Sequence, residues 1–311
     1  MQHTVTSTDG VQLHVEESGN RAGRAILFLH GFAQCGLCWA RQVDSEALAS
    51  FRLVTMDLRG HGRSTKPSAQ EAYTRSTSWA DDIDAVMRAL GLHKPVLVAW
   101  SYSGLVLCDY LTHRGDSALA GVHWVSARTM VGTPRAATMS GSLFRELVPG
   151  FCSADAEARV DAVIAFLRSL TAQPIGMPDF YTMLGYNLDT PPHVCRALLS
   201  RICDNDEVLR GVTVPALITH GDADTSVLLA MAEHHHALMP TSTMSTYAAL
   251  VMHPSTKRRS DSTESSGTSW VCASKIKYAR CPVVCSAMCC WGVAGLLRAW
   301  TKMRGTVPRC T

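Results

Sequence analysis

The residues best suited to chemistry sit at the ends of apolar runs. Ala99-Trp100-Ser101-Tyr102-Ser103-Gly104 follows one such run and precedes an amphipathic stretch. A serine flanked two positions away by small residues, here Ala99 and Ser103, fits a tight strand-to-helix turn. That turn strains the backbone of Ser101, exposes its Oγ and aims a helix N-terminus at developing negative charge. A solvated serine at an ordinary strand-loop-helix junction is the plain alternative. Phe28-Leu29-His30-Gly31-Phe32 ends an earlier run with a glycine that lets the chain turn. The backbone N–H of Phe32 could then join that of Tyr102 in an oxyanion hole, although a simple βα turn would leave the same trace.

Thr219-His220-Gly221-Asp222-Ala223-Asp224 supplies two carboxylates after another run. Either can orient a histidine. The Gly-x-x-Asp spacing favours Asp224, with Asp222 as the fallback. The first histidine beyond the next helix and strand is His253. Ser101, Asp224 and His253 would then serve as nucleophile, orienting acid and general base. Asp57-Leu58-Arg59-Gly60-His61-Gly62-Arg63-Ser64 reads instead as a glycine-shaped loop that ties strand ends together. His234-His235-His236 point in three directions on a helix, so they read as a solvated face and not a metal site.

These residues need strands to end on and helices to start from. Val11–Val15 alternates, as a half-exposed strand does. Ala25–Leu29, Leu53–Met56, Val96–Trp100, Val122–Val125 and Ala216–Thr219 are continuous apolar runs, as buried parallel strands are. Thr243–Tyr247 is a further strand. Helical spacing spans Trp79 to Leu90, stopped by Gly91, with further helices over Leu105–Leu111 and Val227–Leu238. From Thr129 to Arg210 the strand signal disappears and the chain reads as helices broken by Pro and Gly. An insertion there, above the carboxyl ends of parallel strands, can form a lid. Its Phe180, Tyr181 and Tyr186 suggest an apolar acyl pocket, while Met183 and Leu184 read as core.

Bulk properties narrow the class. The chain has 311 residues, 47% of them hydrophobic, which is enough to bury a core without metal or disulfide. A net charge of +3 is too balanced for a dedicated nucleic-acid binder. The N-terminal residues show no charged region followed by an apolar run, so the twelve cysteines read as free thiols of a reducing cytoplasm.

On His30-Gly31-Phe32, Asp57 to Ser64, Trp100-Ser101-Tyr102 and His220-Gly221-x-x-Asp224, residues 9 to about 250 resemble the α/β-hydrolase fold superfamily. They look most like the bacterial hydrolases often labelled non-heme chloroperoxidases. The resemblance implies a mostly parallel sheet flanked by helices. The core would take residues 1–128 and 211–253, a helical lid 129–210, and an atypical tail 254–311. It implies a serine hydrolase that cleaves a small carboxylic ester or lactone through an acyl-enzyme on Ser101. His253 and Asp224 complete the triad, and the Phe32 and Tyr102 N–H groups hold the oxyanion. No cofactor, metal, nucleic acid or stable membrane insertion is expected. Ser101 separates the chain from the haloalkane dehalogenases and epoxide hydrolases of this fold, which carry Asp at the elbow. Two other readings stand beside it. One is a cofactor-free haloperoxidase or perhydrolase using the same triad. The other is a variant impaired by its altered C-terminus.

That terminus departs from what the resemblance implies, a Gly-x-Gly-His-Ala-Pro-Phe loop and a final packed helix. The chain reads Ala249-Leu250-Val251-Met252-His253-Pro254 and then a polar stretch. Read one nucleotide earlier, codons compatible with Val251 to Trp270 can spell His-Ala-Pro and then the residues of the expected tail. A one-nucleotide shift just after Tyr247 explains the change. It leaves the cysteine-rich end (Cys281, Cys285, Cys289 and Cys290 among it) and the apolar run Val283–Leu297 without a required role in metal binding or membrane anchoring.

Overall fold

The computed structural model describes residues 1–170 and 175–247. Ten strands are present among them: β1 (Gln2–Thr6), β2 (Gln12–Gly19), β3 (Ala25–Leu29), β4 (Arg52–Met56), β5 (Val96–Trp100), β6 (Gly121–Val125), β7 (Met130–Val131), β8 (Cys203–Asp204), β9 (Ala216–Gly221) and β10 (Thr243–Tyr247). Eight of them form one sheet in the order β1-β2-β4-β3-β5-β6-β9-β10. The β1–β2 and β2–β4 pairs are antiparallel and every other pair is parallel. Every residue of β3, β5, β6 and β9 is buried, the state that their unbroken apolar runs require in a sheet covered on both faces.

Two short helices, α1 (Ala40–Val43) and α2 (Glu71–Thr74), precede α3 (Ser76–Ala89), which buries Trp79, Ile83 and Val86 at helical spacing. Gly91 follows at φ +59°, the left-handed stop expected there. The next helix, α4 (Ser103–Arg114), starts two residues before the apolar run that marks it in the sequence. The expected Val227–Leu238 helix begins only at Leu229, as α11 (Leu229–Leu238), because Val227 is diverted into a β-bridge with Ser140.

Between β6 and β9 lie α5 (Pro134–Thr138), α6 (Ser142–Phe151), α7 (Ala156–Ser169), α8 (Met177–Asp189), α9 (Pro192–Leu199) and α10 (Asp206–Arg210). The absence of strands read from the sequence of this stretch is corrected by β7 and β8. They pair antiparallel, Met130 with Asp204 and Val131 with Cys203, where the two ends of the insertion meet. Two-residue strands are too short to show alternation. Strand β1 was also invisible, because Val5 alone is buried on that edge strand.

The insertion is fastened to the core by aromatic packing. Phe144 and Phe151 set their rings edge-on to Phe32 at 5.7 and 5.2 Å, and Phe166 joins them at 5.8 and 5.3 Å. Edge contacts of this kind add about 0.5–1.5 kcal/mol each beyond burial. The buried Arg201, just past α9, donates to both carboxylate oxygens of Asp109 in α4. Among the described residues no helix is long and apolar enough to cross a membrane.

Candidate active site

Ser101 sits where β5 gives way to α4 and has φ +54°, a region L-residues rarely adopt. Strain of this kind costs about 1–3 kcal/mol and needs surrounding bonds to persist. Ser101 N–H donates to Val125 O at 3.0 Å, and its carbonyl accepts from Gly104 N–H at 3.0 Å and Arg128 N–H at 2.9 Å. The steric demand is sharpest one position beyond the expected one. A Cβ on Gly104 would lie 2.3 Å from Arg128 O. At Ser103 the decisive property is the hydroxyl, which bonds Leu29 O at 2.8 Å and Trp100 O at 3.0 Å and so ties the elbow to β3.

Gly31 faces the elbow: a Cβ there would come within 3.3 Å of Ser101 Cβ. His30 Nε2 accepts from Leu58 N–H at 2.9 Å, so its proton is on Nδ1, which donates to Gly31 O at 2.9 Å. Burial holds this imidazole down at about 4, and it locks the ends of β3 and β4 as a neutral group. Neither Phe32 nor Tyr102 donates a backbone hydrogen bond through its N–H among the described residues. Both line a cavity of about 30 Å³ together with Ser101, Arg128, Phe144 and Phe166.

The loop after β4 is structural, as its glycines suggest. Asp57 accepts from Gly36 N–H at 2.7 Å and Arg63 N–H at 2.8 Å, and a Cβ on Gly62 would strike its Oδ2 at 2.3 Å. Arg59, fully buried, forks onto both oxygens of Asp82 at 2.7 and 2.6 Å.

Two carboxylates compete at the end of β9, and their surroundings differ. Asp222 is exposed. Asp224 is 4% exposed, and its Oδ1 accepts from the N–H groups of Ser226 and Val227 at 2.8 and 2.9 Å. Its Oδ2 has no hydrogen-bond partner among the described residues, and His220 Nε2 stands 3.6 Å away. Burial pushes the Asp224 carboxyl above the usual carboxylate range, against the pull of His220, the two N–H groups and the Ser126 hydroxyl. His253, the expected base, lies outside the described residues, as do the cysteines and the apolar run of the tail.

Arg128 escaped the sequence reading. It is 8% exposed, donates through Nη2 to Ser226 O at 2.7 Å and through Nη1 to Ser140 Oγ, and stacks over Phe144 with Cζ 5.2 Å from the ring centre. No carboxylate lies within ion-pair distance of it among the described residues.

The aromatic residues expected to form the acyl pocket do not line the Ser101 cavity. Tyr181 is 62% exposed, and Tyr186 lines a separate cavity of about 380 Å³ beside Asp57 and Gly185. Ion pairs Arg41–Asp179 and Lys66–Asp189 lie along α8 on that side, and α6 and α7 supply Phe144 and Phe166 beside Ser101. Met183 is buried as core, as read. The three histidines of α11 take separate partners: His234 bonds Asp206, His235 Thr129 and His236 Ser242. Among the described residues no group of three His, Cys, Asp or Glu side chains is placed to hold a metal ion.

Known proteins resemble this chain in sequence and fold. The esterase RhEst1 from Rhodococcus sp. ECU1013 is similar in structure, with a TM-score of 0.75 and 36% identity over 81% of this chain and 92% of that one. A non-heme chloroperoxidase from Streptomyces lividans is 27% identical over 79% of this chain and 91% of its own length. An epoxide hydrolase from Caballeronia sordidicola is 36% identical over 113 residues, which span 36% of this chain and 31% of that protein. The sequence model described as the alpha/beta hydrolase fold matches residues 24–247. Because that match takes in the elbow, the carboxylate turn and every parallel strand of the sheet, the chain belongs to the alpha/beta hydrolase fold family.

Proposed function

We propose that this hydrolase cleaves a small carboxylic ester or lactone through an acyl-enzyme on Ser101. The observation that carries the reading is Ser101 held at φ +54° at the wall of a Phe-lined cavity, beside two backbone N–H groups without a backbone acceptor. Ser101 Oγ attacks the carbonyl carbon and its proton passes to an imidazole, for which His253 is the candidate. The Phe32 and Tyr102 N–H groups receive the charge on the carbonyl oxygen, an effect worth about 3 kcal/mol per donor in measured systems. The imidazole returns the proton to the departing alkoxide, and water then clears the acyl group. The Oδ2 of Asp224, buried and without a hydrogen-bond partner among the described residues, suits an acid that fixes the imidazole tautomer and stabilises its cation.

The similarity to the Streptomyces lividans chloroperoxidase favours a second reading, in which peroxide replaces water and a peracid leaves. A p-nitrophenyl ester chain-length series on purified protein, with Ser101→Ala as control, tests the first. A monochlorodimedone assay with acetate and peroxide tests the second. Fluorophosphonate labelling of Ser101 separates both from a non-catalytic chain. If Ser101→Ala keeps more than a tenth of the wild-type rate, Ser101 is not the nucleophile.

A further inference from the structure

We propose that the acyl subsite beside Ser101 is selective for a short acyl group that carries its own carboxylate, held by Arg128. The substrate class is then a half-ester of a short dicarboxylic acid. This rests on the ester-hydrolase reading of Ser101.

The argument starts from an unbalanced charge. Arg128 is 8% exposed and lines the cavity that Ser101 opens onto. A guanidinium has five N–H donors. Nη1 gives one to Ser140 Oγ and Nη2 gives one to Ser226 O, both neutral acceptors. The remaining donors have no acceptor among the described residues, and no carboxylate stands within ion-pair distance. The other buried arginines differ: Arg59 is paired with Asp82 and Arg201 with Asp109. Burying a cation without a counter-ion is expensive, and burial draws the Arg128 pKa down to about 10, where it stays charged. Asp224 eases this at a distance but makes no contact with it.

The surroundings define the ligand. Phe144 backs the guanidinium plane at 5.2 Å, and Phe32 and Phe166 close the apolar wall. The cavity is narrow, about 30 Å³, which disfavours a long acyl chain. The backbone N–H of Arg128 bonds Ser101 O at 2.9 Å, so the cation belongs to the segment that braces the nucleophile. An acyl chain on Ser101 that ends in a carboxylate meets a planar fork suited to it, and a neutral chain of the same length leaves that fork empty.

The test compares monophenyl succinate with phenyl butyrate, each corrected for uncatalysed hydrolysis. Wild type is expected to favour the succinate in kcat/KM by about ten- to a hundredfold, the worth of a charge-assisted hydrogen bond. Arg128→Met should collapse that ratio towards one, and Arg128→Lys should keep part of it. A wild-type preference for butyrate overturns the proposal. So does a ratio unchanged in Arg128→Met, which would leave Arg128 as a tie between loops. A second readout needs no turnover and no Arg128 variant. Ser101→Ala should bind succinate at least tenfold more tightly than butyrate by titration calorimetry, and equal binding overturns the proposal. If neither ester turns over while succinate is still preferred in binding, the hydrolytic reading fails and the subsite stands.

Discussion

The fold should come apart in mild acid, because four histidines are buried as neutral groups. Burial holds His30 at about 4 and His61, His123 and His235 at about 3. In the unfolded chain each would titrate near 6.5. Below that value the unfolded state takes up protons that the folded state refuses, so stability falls as pH falls. Between pH 7 and pH 5 each histidine removes about 2 kcal/mol, and the four together about 7–8 kcal/mol. Asp109 works the other way. Burial raises it to about 6 despite Arg201, so the folded state binds its proton first and regains about 1 kcal/mol over the same interval. Asp82 and Asp224, also raised by burial, trim the loss in the same sense. Several kcal/mol remain, against a whole-domain stability of about 5–15 kcal/mol. Urea unfolding at a series of pH values, followed through the buried Trp39, Trp79, Trp100 and Trp124, measures the slope directly. His235→Gln keeps a hydrogen-bonding group for Thr129 and should lower that slope by about 1 kcal/mol per pH unit. Stability that stays flat from pH 7 to pH 5, or a slope unmoved in His235→Gln, would refute the reasoning.

Other outcomes follow from single contacts. Gly104→Ala drives a methyl into Arg128 O, 2.3 Å away, and should cost about 1–3 kcal/mol in urea unfolding while slowing fluorophosphonate labelling of Ser101. Asp82→Ala strands the fully buried Arg59 and should remove about 3–5 kcal/mol, read as a drop in thermal midpoint; a loss under 1 kcal/mol would show that Asp9 alone suffices as partner. Asp224→Asn should lower ester hydrolysis far more than Asp222→Asn, by as much as about 10⁴-fold, because only Asp224 offers a buried oxygen with no described partner. The reverse ranking would move the acid to Asp222.

Legibility tracked the range of the interactions involved. Strands β3 and β5 have the bounds that their residue types give, because a buried parallel strand announces itself in five consecutive residues. The positive φ of Ser101 follows from local chain turning, which neighbouring small residues reveal. Arg128 could not be read this way. Its meaning lies in Ser140 and Ser226, which are 12 and 98 positions distant, and in the missing carboxylate. The aromatics of α8 were misplaced for the same reason: periodicity shows that a helix has an apolar face, but which part of the core that face meets depends on residues remote in sequence, and Arg41 and Lys66 lie beside it here.

The seam between Ser140 and Val227 bears on how this protein can be rebuilt. Gly141 N–H donates to Ser226 O and Leu228 N–H to Met139 O, so the start of the helical insertion is sewn to the turn that carries Asp224. A Cβ on Gly141 would fall 1.6 Å from Thr225 O, and so the two backbones touch with no side chain between them. The insertion is therefore not an exchangeable module bounded by its own residues. A chimera that imports a foreign lid across 129–210 would bring a backbone never fitted to residues 225–228, and it would disturb the carboxylate turn from a segment remote in sequence. Recombination junctions placed after Gly141, within α6, keep the seam native and leave the aromatic roof free to vary.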